Sequence, residues 1–239
     1  TFALLNDDLI ARYNEEFARQ LLRTALHEYE TLIPEIPYIK GLRGNALNTF
    51  LLATAQELAL YKAMNTMGKS AEEAWEFCHR AVRLHAAGIP KWKKWLMRQL
   101  MFSRLVKTIF ARRARRGERV RFGDFEIEYL AGDGSAFDIG VNYHECGNLR
   151  FARDHGGLAF APYICMSDIA LSDALGWGLI RTQTLADGCG HCDFRFKKSG
   201  ATRVTSKTPA VQAAIEKIRR EEAGRGGPEN IKKRRLEFP

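Results

Sequence analysis

The hydrophobic period of the chain changes at about residue 117, and this change constrains the fold more than any other feature. Before it, apolar residues recur at the spacing typical of amphipathic helices. After it, residues 119–130 alternate between apolar and polar side chains, as strands with one buried face do. Helices followed by strands, without a repeated strand–helix–strand alternation, predict an α+β fold.

Capping residues and prolines divide the first half into four predicted helices. They span residues 6–32, 45–67, 70–88 and 91–116. Ser70 and Glu73 have the spacing of a capping box at the start of the third helix. The fourth carries Trp92 and Trp95 at helical spacing, and we expect it to pack on the core with its Lys and Arg side chains in water.

The second half predicts an antiparallel sheet with short inserted helices, packed against the helical half. The predicted strands cover residues 119–130, 137–143, 178–184 and 192–197, the last two forming a hairpin, and the predicted helices cover 147–155, 166–175 and 209–222. We therefore predict a single α+β domain over residues 1–223, helical over 1–117 and mixed α/β over 118–223, followed by a basic tail over 224–239.

Composition indicates a globular protein with free thiols. Hydrophobic residues make up 46% of the 239 residues, which is enough to bury a sizeable core. There is neither a secretory signal nor an apolar run long enough for a transmembrane segment. Five cysteines, an odd number, do not suit a disulfide scaffold in a chain of this length. We expect a cytoplasmic protein.

The positive charge is concentrated in one segment. The chain has a net charge of +9, and residues 91–121 hold twelve Lys or Arg against one acid, Glu118. Such a concentration argues against a general nucleic-acid-binding surface. The same basic, Trp-bearing segment could instead contact an anionic membrane, RNA or an acidic partner.

Four of the five cysteines lie between Asn142 and Lys197, where three kinds of chemistry compete. Cys189 and Cys192 have the spacing of a redox dithiol, but the strand–helix–strand context of such sites is absent. Zinc would need Cys189, His191, Cys192 and one of Cys146, His144 or Cys165, yet the sequence offers only one close pair. The third kind of chemistry is nucleophilic attack by a cysteine. The alternative for the close pair is that Cys189 is an incidental turn residue and Cys192 packs as a small apolar side chain.

Cys165 and Asp168 form the strongest nucleophile candidate. Cys165 comes just before a predicted helix, where the helix dipole would lower the pKa of the thiol and favour the thiolate. Asp168, three residues further on, could accept a proton or bind a cationic substrate group. The alternative is a buried structural cysteine followed by an ordinary acid in the first turn of a helix.

Further candidates lie on the predicted strands. Arg181 and Thr182 on one strand and Arg195 on the next could meet in a cleft, where two guanidinium groups would hold a carboxylate. Glu145, beside Cys146, is a candidate general acid or base. The alternatives are solvent-facing strand charges and an exposed loop acid.

Four short blocks occur in order in this region. They read E-C-G at 145–147, P-x-x-C-x-x-D at 162–168, G-x-G-L-x-R-T-x-T-L-A-x-G at 176–188 and C-D-F-R-F-K at 192–197. Over about residues 120–200 the chain resembles the L-2-amino-thiazoline-4-carboxylate hydrolase family. This resemblance implies hydrolytic opening of a cyclic isothiourea ring to an N-carbamoyl cysteine, without a cofactor.

Combining the resemblance with the chemistry of the residues gives a specific prediction. We predict a hydrolase acting on C–N or C–S bonds of a small cyclic substrate, with catalytic residues Cys165, Asp168 and Glu145, and with substrate contacts from Asn142, Arg181, Thr182, Cys192 and Arg195. We expect no metal, no cofactor and no nucleic-acid partner, while a homo-oligomer is left open. The alternative is a non-catalytic small-molecule or metal-binding sensor module that uses the same cysteine-rich cleft.

Overall fold

The computed structural model describes residues 2–41 and 44–224, so the basic tail predicted beyond Gly224 lies outside the described residues. The described part of the chain contains ten α-helices: α1 Asn6–Arg12, α2 Glu15–Leu32, α3 Gly44–Thr66, α4 Ala71–Gly88, α5 Lys91–Met101, α6 Arg104–Arg116, α7 Gly147–Asp154, α8 Ala161–Ile164, α9 Asp168–Leu175 and α10 Pro209–Gly224. Within these ranges, no helix combines the length and the hydrophobicity that crossing a membrane requires.

The second half contributes a six-stranded sheet. Its strands are β1 Arg119–Phe122, β2 Phe125–Ala131, β3 Ile139–Glu145, β4 Leu179–Arg181, β5 Cys192–Phe196 and β6 Arg203–Val204. Their order across the sheet is β1-β2-β3-β5-β4-β6. Neighbours are antiparallel except for β4 and β6, which pair in parallel at one edge. The predicted α+β class, with a helical first half, is confirmed.

Local side-chain caps explain where the helices begin. The predicted capping box is present, since Glu73 N donates to Ser70 Oγ over 3.1 Å and Ser70 N donates to the Glu73 carboxylate over 3.0 Å. Two predicted helices are each divided in two. Asn14 accepts a hydrogen bond from Phe17 N at 2.8 Å and so begins α2, and Ser103 begins α6 in the same way.

The helices cover one face of the sheet, which we call the inner face. Leu51, Ala55 and Leu58 of α3 pack against β2 and β3, and residues of α8 and α9 pack against β4 and β5. Because side chains alternate along a strand, the other face, which we call the outer face, carries different residues. Inner-face residues include Leu179, Arg181, Cys192 and Phe194, and outer-face residues include Asn142, Thr182, Asp193 and Arg195.

The predicted core-packing role of the basic Trp-bearing helix holds only in part, because Phe110 packs against the core whereas the two tryptophans do not. Neither α5 nor α6 contains a buried residue. The segment is attached through Phe102, which is buried between the two helices, and through Phe110, whose ring meets that of Tyr129 edge-on at 5.0 Å between centroids. Trp92 and Trp95 point into solvent.

Candidate active site

At least one polar or thiol residue from each of the four sequence blocks lies on the inner face of the sheet. Cys146 precedes α7, Cys165 lies in a 3-10 turn between α8 and α9, and Asp168 begins α9. Arg181 and Cys192 reach the same place from β4 and β5. The three cysteines are close enough to influence one another's pKa, and Asp168 influences all three. We call these five residues the inner cluster.

Arg181 ties the inner cluster together. One terminal nitrogen, Nη1, donates to Asp168 Oδ2 over 2.7 Å, and the other, Nη2, donates to the carbonyl oxygen of Cys165 over 2.6 Å. The guanidinium also lies over the ring of Phe194, 5.0 Å from its centroid, and only 1% of the residue is exposed. Arg181 therefore holds Asp168 and the Cys165 turn in place, and its fork does not face solvent.

Asp168 combines an anchored oxygen with an open one. Its Oδ2 accepts from Arg181, whereas Oδ1 makes no hydrogen bond within the described part of the chain. The side chain of Asp168 is 34% exposed. Its carboxylate is nevertheless surrounded by protein groups that keep much of the water away from it. Burial raises the pKa of Asp168, and the neighbouring Arg181 opposes that rise. Such a carboxylate can accept a proton from a bound group and return it.

The expected low pKa of Cys165 is wrong. Burial, followed by the nearby Cys192 thiol, raises the pKa of Cys165, and the positive charge of Arg181 offsets only part of the rise. The reason lies in the backbone, because α8, the turn and α9 follow one another without leaving helical geometry. The thiol therefore faces no free helix N-terminus, and Cys165 is a neutral thiol at neutral pH.

The other two thiols of the inner cluster are also protonated. Burial raises the pKa of Cys146 to about 12 and that of Cys192 to about 12. The backbone N–H of Leu185 donates to Cys192 Sγ over 3.2 Å, which fixes that side chain. The inner cluster thus combines three neutral thiols with the single carboxylate of Asp168.

Sequence reasoning missed Glu57 of α3, a carboxylate that lies next to the inner cluster. It accepts a hydrogen bond from Ser167 Oγ over 2.9 Å, one residue before Asp168. Glu57 is only 8% exposed, and burial raises its pKa to about 8, with a further contribution from Asp168. A signal was present, because Glu57 is the only acid in α3 and lies in its apolar middle, one residue before Leu58.

Three predicted substrate contacts lie on the outer face instead. Arg195 donates to Asn142 Oδ1 over 2.9 Å, and Asn142 donates to Glu128 over 2.9 Å. Thr182 is bonded to Asp193 through both its backbone N–H and its hydroxyl. The expected shared cleft of two arginines is therefore wrong. Arg195 pairs with Ile180 across the strands, so alternation sends Arg181 to the opposite face.

Glu145 is engaged elsewhere, at the end of β3. Both of its oxygens accept hydrogen bonds from Arg121 of β1, at 2.6 and 2.8 Å. Its side chain is 46% exposed, and Arg121 lowers the pKa of the carboxyl group. The structure does not bring Glu145 into the inner cluster.

The residues proposed for zinc are divided between different surroundings. His191 hydrogen-bonds Gln183 at 3.0 Å and its ring lies 5.6 Å from that of His144, while Cys192 points to the inner face. Over residues 2–41 and 44–224, no three His, Cys, Asp or Glu side chains are arranged to hold a metal ion.

Comparison with known proteins adds a family. The model of the L-2-amino-thiazoline-4-carboxylic acid hydrolase family matches residues 49–196, a range that includes Glu57 and the whole inner cluster. Searches of curated proteins and of solved structures gave no significant match. The family description indicates a hydrolase. Because the match covers more than half of the chain, this protein belongs to the L-2-amino-thiazoline-4-carboxylic acid hydrolase family.

Proposed function

We propose that the protein is a cytoplasmic hydrolase that opens the ring of L-2-amino-thiazoline-4-carboxylic acid or a closely related cyclic isothiourea, with the inner cluster as its reaction centre. The observation that carries this proposal is the convergence of the four motif blocks. Cys146, Cys165, Asp168, Arg181 and Cys192 come from separate segments of the matched range, and Arg181 joins two of these segments directly.

Ring opening requires a group that takes a proton from water and then gives it to the leaving sulfur, and Asp168 can serve as that group. The ring carbon between sulfur and two nitrogens is electrophilic, more so when the isothiourea is protonated. Asp168 Oδ1 accepts a proton from water as the water oxygen bonds to that carbon. As the carbon–sulfur bond breaks, the sulfur takes the proton from Asp168. The hydroxyl on the former ring carbon releases its proton to solvent and becomes the urea carbonyl, which balances the proton that the ring carried at the start. One water molecule is consumed, and no electrons are exchanged.

Water is a better nucleophile here than the thiol of Cys165. A cysteine attacks as its thiolate, and nucleophilic cysteines have a lowered pKa. The pKa of Cys165 is instead raised by burial. We propose that Cys165, with Cys146 and Cys192, forms a neutral wall that excludes bulk water and leaves Asp168 as the one charge facing a cationic ring.

Arg181 acts in this scheme as a positioning residue. It fixes Oδ2 of Asp168 and the Cys165 carbonyl, so that Oδ1 keeps one orientation. Asn142, Thr182 and Arg195 remain predicted substrate contacts, but they face the other side of the sheet. They can contact the substrate only if it binds at the outer face. An outer-face variant measured beside an inner-face variant tests this.

The test compares one inner-face and one outer-face variant in the same assay. Release of a thiol from L-2-amino-thiazoline-4-carboxylic acid, with mass spectrometry of the product, measures ring opening. We expect Asp168→Asn to lower kcat by at least about 100-fold, the size typical of a lost general acid–base group. Cys165→Ser should retain kcat within about tenfold, because a hydroxyl can replace a neutral wall thiol.

Arg195→Met is the outer-face control, since it removes a guanidinium from the face of the sheet opposite the inner cluster. We expect its kcat/KM to stay close to that of the wild type. An active Asp168→Asn combined with an inactive Arg195→Met would move the reaction to the outer face. Ligand binding without turnover, or bound metal lost in Cys192→Ser, would instead favour the sensor alternative.

A further inference from the structure

Helix α5 exposes an apolar stripe along its whole length. Trp92, Trp95, Leu96 and Leu100 are 63%, 55%, 41% and 60% exposed, respectively, and they follow one another at helical spacings of one face. Leu105, in the first turn of α6, is also exposed, at 70%. Scattered apolar residues on a protein surface are ordinary, but a contiguous patch that includes two tryptophans marks an interaction site.

The charge around this stripe has one sign. Residues 91–116 contain ten Lys or Arg and no Asp or Glu. Lys107 is paired with Asp138 at 2.6 Å, whereas Lys91, Lys93 and Arg104 form no ion pair within the described part of the chain. The surface around the stripe is therefore both apolar and cationic. A partner that binds there must offer apolar groups together with negative charge.

The stripe faces outward because the opposite side of α5 is already attached to the protein. Phe102, at the end of α5, is buried. Arg98 lies so close to Gly176 of α9 that a Cβ there would stand 2.7 Å from its Nη1. Lys198 donates over 2.7 Å to Gln99, which lies beside Trp95 and Leu96 at the edge of the stripe. These contacts orient α5 and leave the tryptophans on its free side.

We propose that α5 and the start of α6 form an interfacial binding surface for a membrane that contains anionic lipids. Lys and Arg would meet the headgroups while the tryptophans and leucines enter the boundary with the acyl chains, the arrangement typical of helices that lie on a membrane. A nucleic-acid backbone would match the charge but would leave Leu96, Leu100 and Leu105 unused. This proposal is independent of the reaction at the inner cluster.

The test uses the full chain with phosphatidylcholine vesicles, with and without one third phosphatidylglycerol. We expect co-sedimentation only with the anionic vesicles, and binding that weakens as salt is added. Tryptophan emission should shift to the blue on binding, because Trp92 and Trp95 are exposed whereas Trp75 is fully buried in the free protein. Lys91→Glu with Lys93→Glu should lower binding by about fivefold or more for each charge reversed.

Matched variants separate the stripe from other sources of binding. Trp92→Ser with Trp95→Ser should lower vesicle binding by at least about tenfold, while Tyr38→Ser with Leu158→Ser, at sites 73% and 59% exposed, should not. Replacing Lys232, Lys233, Arg234 and Arg235 by Ser controls for the basic tail. Vesicle binding lost in the tail variant but kept in the Trp variant would overturn the proposal.

A second copy of the chain is the competing occupant of the stripe. Sedimentation equilibrium without lipid measures it directly. A dimer that dissociates in Trp92→Ser with Trp95→Ser, together with no binding to anionic vesicles, would assign the stripe to self-association and refute the membrane proposal. A monomer that binds the anionic vesicles supports it.

Discussion

The guanidinium of Arg181, the last residue of β4, donates over 2.7 Å to the carboxylate of Asp168, the first residue of α9. The arginine is buried and the aspartate is partly open to solvent. Arg181 therefore has a structural role and Asp168 a catalytic one in our proposal. Variants of the two residues should accordingly differ in their effects on stability and on activity.

Removing Arg181 should destabilise the protein. Arg181→Met leaves the desolvated carboxylate of Asp168 without its partner, and breaking a buried pair in this way costs about 3–5 kcal/mol. We expect a loss of about 2–3 kcal/mol, because Asp168 is one-third exposed. Unfolding in urea measures it. Arg181→Met combined with Asp168→Asn should lose less than the sum of the single variants, and strict additivity would contradict the coupling.

The raised pKa of Cys165 should slow its reaction with alkylating agents. Cys189 and Cys165 are both partly exposed, and at neutral pH we expect iodoacetamide to modify Cys189 at least about tenfold faster than Cys165, whose pKa is raised. Peptide mass spectrometry after timed quenching gives both rates, and the chain unfolded in urea is the control. Faster modification of Cys165 would restore its predicted role as a nucleophile.

Glu57 should make the protein less stable as the pH rises. Its pKa is about 8 in the folded chain against 4.5 for the unperturbed group. Between these values the folded state keeps a proton that the unfolded state releases, so the free energy of unfolding falls by up to about 1.4 kcal/mol per pH unit. Above pH 8 the loss is complete.

Glu57→Gln imitates the protonated acid and should remove this decline. Denaturant unfolding of both proteins at several values between pH 5 and pH 9 measures the difference, and groups that titrate in both proteins cancel. Cys78, Ser167 and Asp168 surround Glu57 and are unchanged. Parallel stability curves for the two proteins would show that Glu57 titrates normally.

Glu145 should be dispensable for the reaction. Its carboxylate is held by Arg121 at the exposed end of β3. We expect Glu145→Gln to keep kcat within about twofold and to leave the pH profile of kcat unchanged. Arg121→Gln is the control that breaks the same pair from its other side. A large loss of kcat in Glu145→Gln alone would return this residue to the catalytic set.

The elements of the fold were largely predictable because their signals are local. The Ser70–Glu73 capping box and the alternation of residues 119–130 each act within a few residues of chain. The breaks at Asn14 and Ser103 were missed although both residues are good caps, since the apolar pattern continues across them. The parallel pairing of β4 with β6 depends on a two-residue strand that carries no pattern.

The candidate site was only partly predictable, because its chemistry depends on distant contacts. Cys165 and Asp168 were found from spacing, but the pKa of Cys165 depends on burial beneath other elements. The partner of Glu57 is Ser167, 110 residues away. Strand pairing was predicted without its register, and register decides that Arg181 and Arg195 face away from each other.

The alternation of side chains along β5 limits which mutations this strand can tolerate. Cys192 and Phe194 belong to one environment, and Asp193 and Arg195 to another. Inserting or deleting one residue in this strand would move the inner-face residues to the outer face and the outer-face residues to the inner face. Charged side chains would then be buried and aromatic rings exposed. A substitution at one position leaves this alternation intact, whereas a change in the length of this short segment does not.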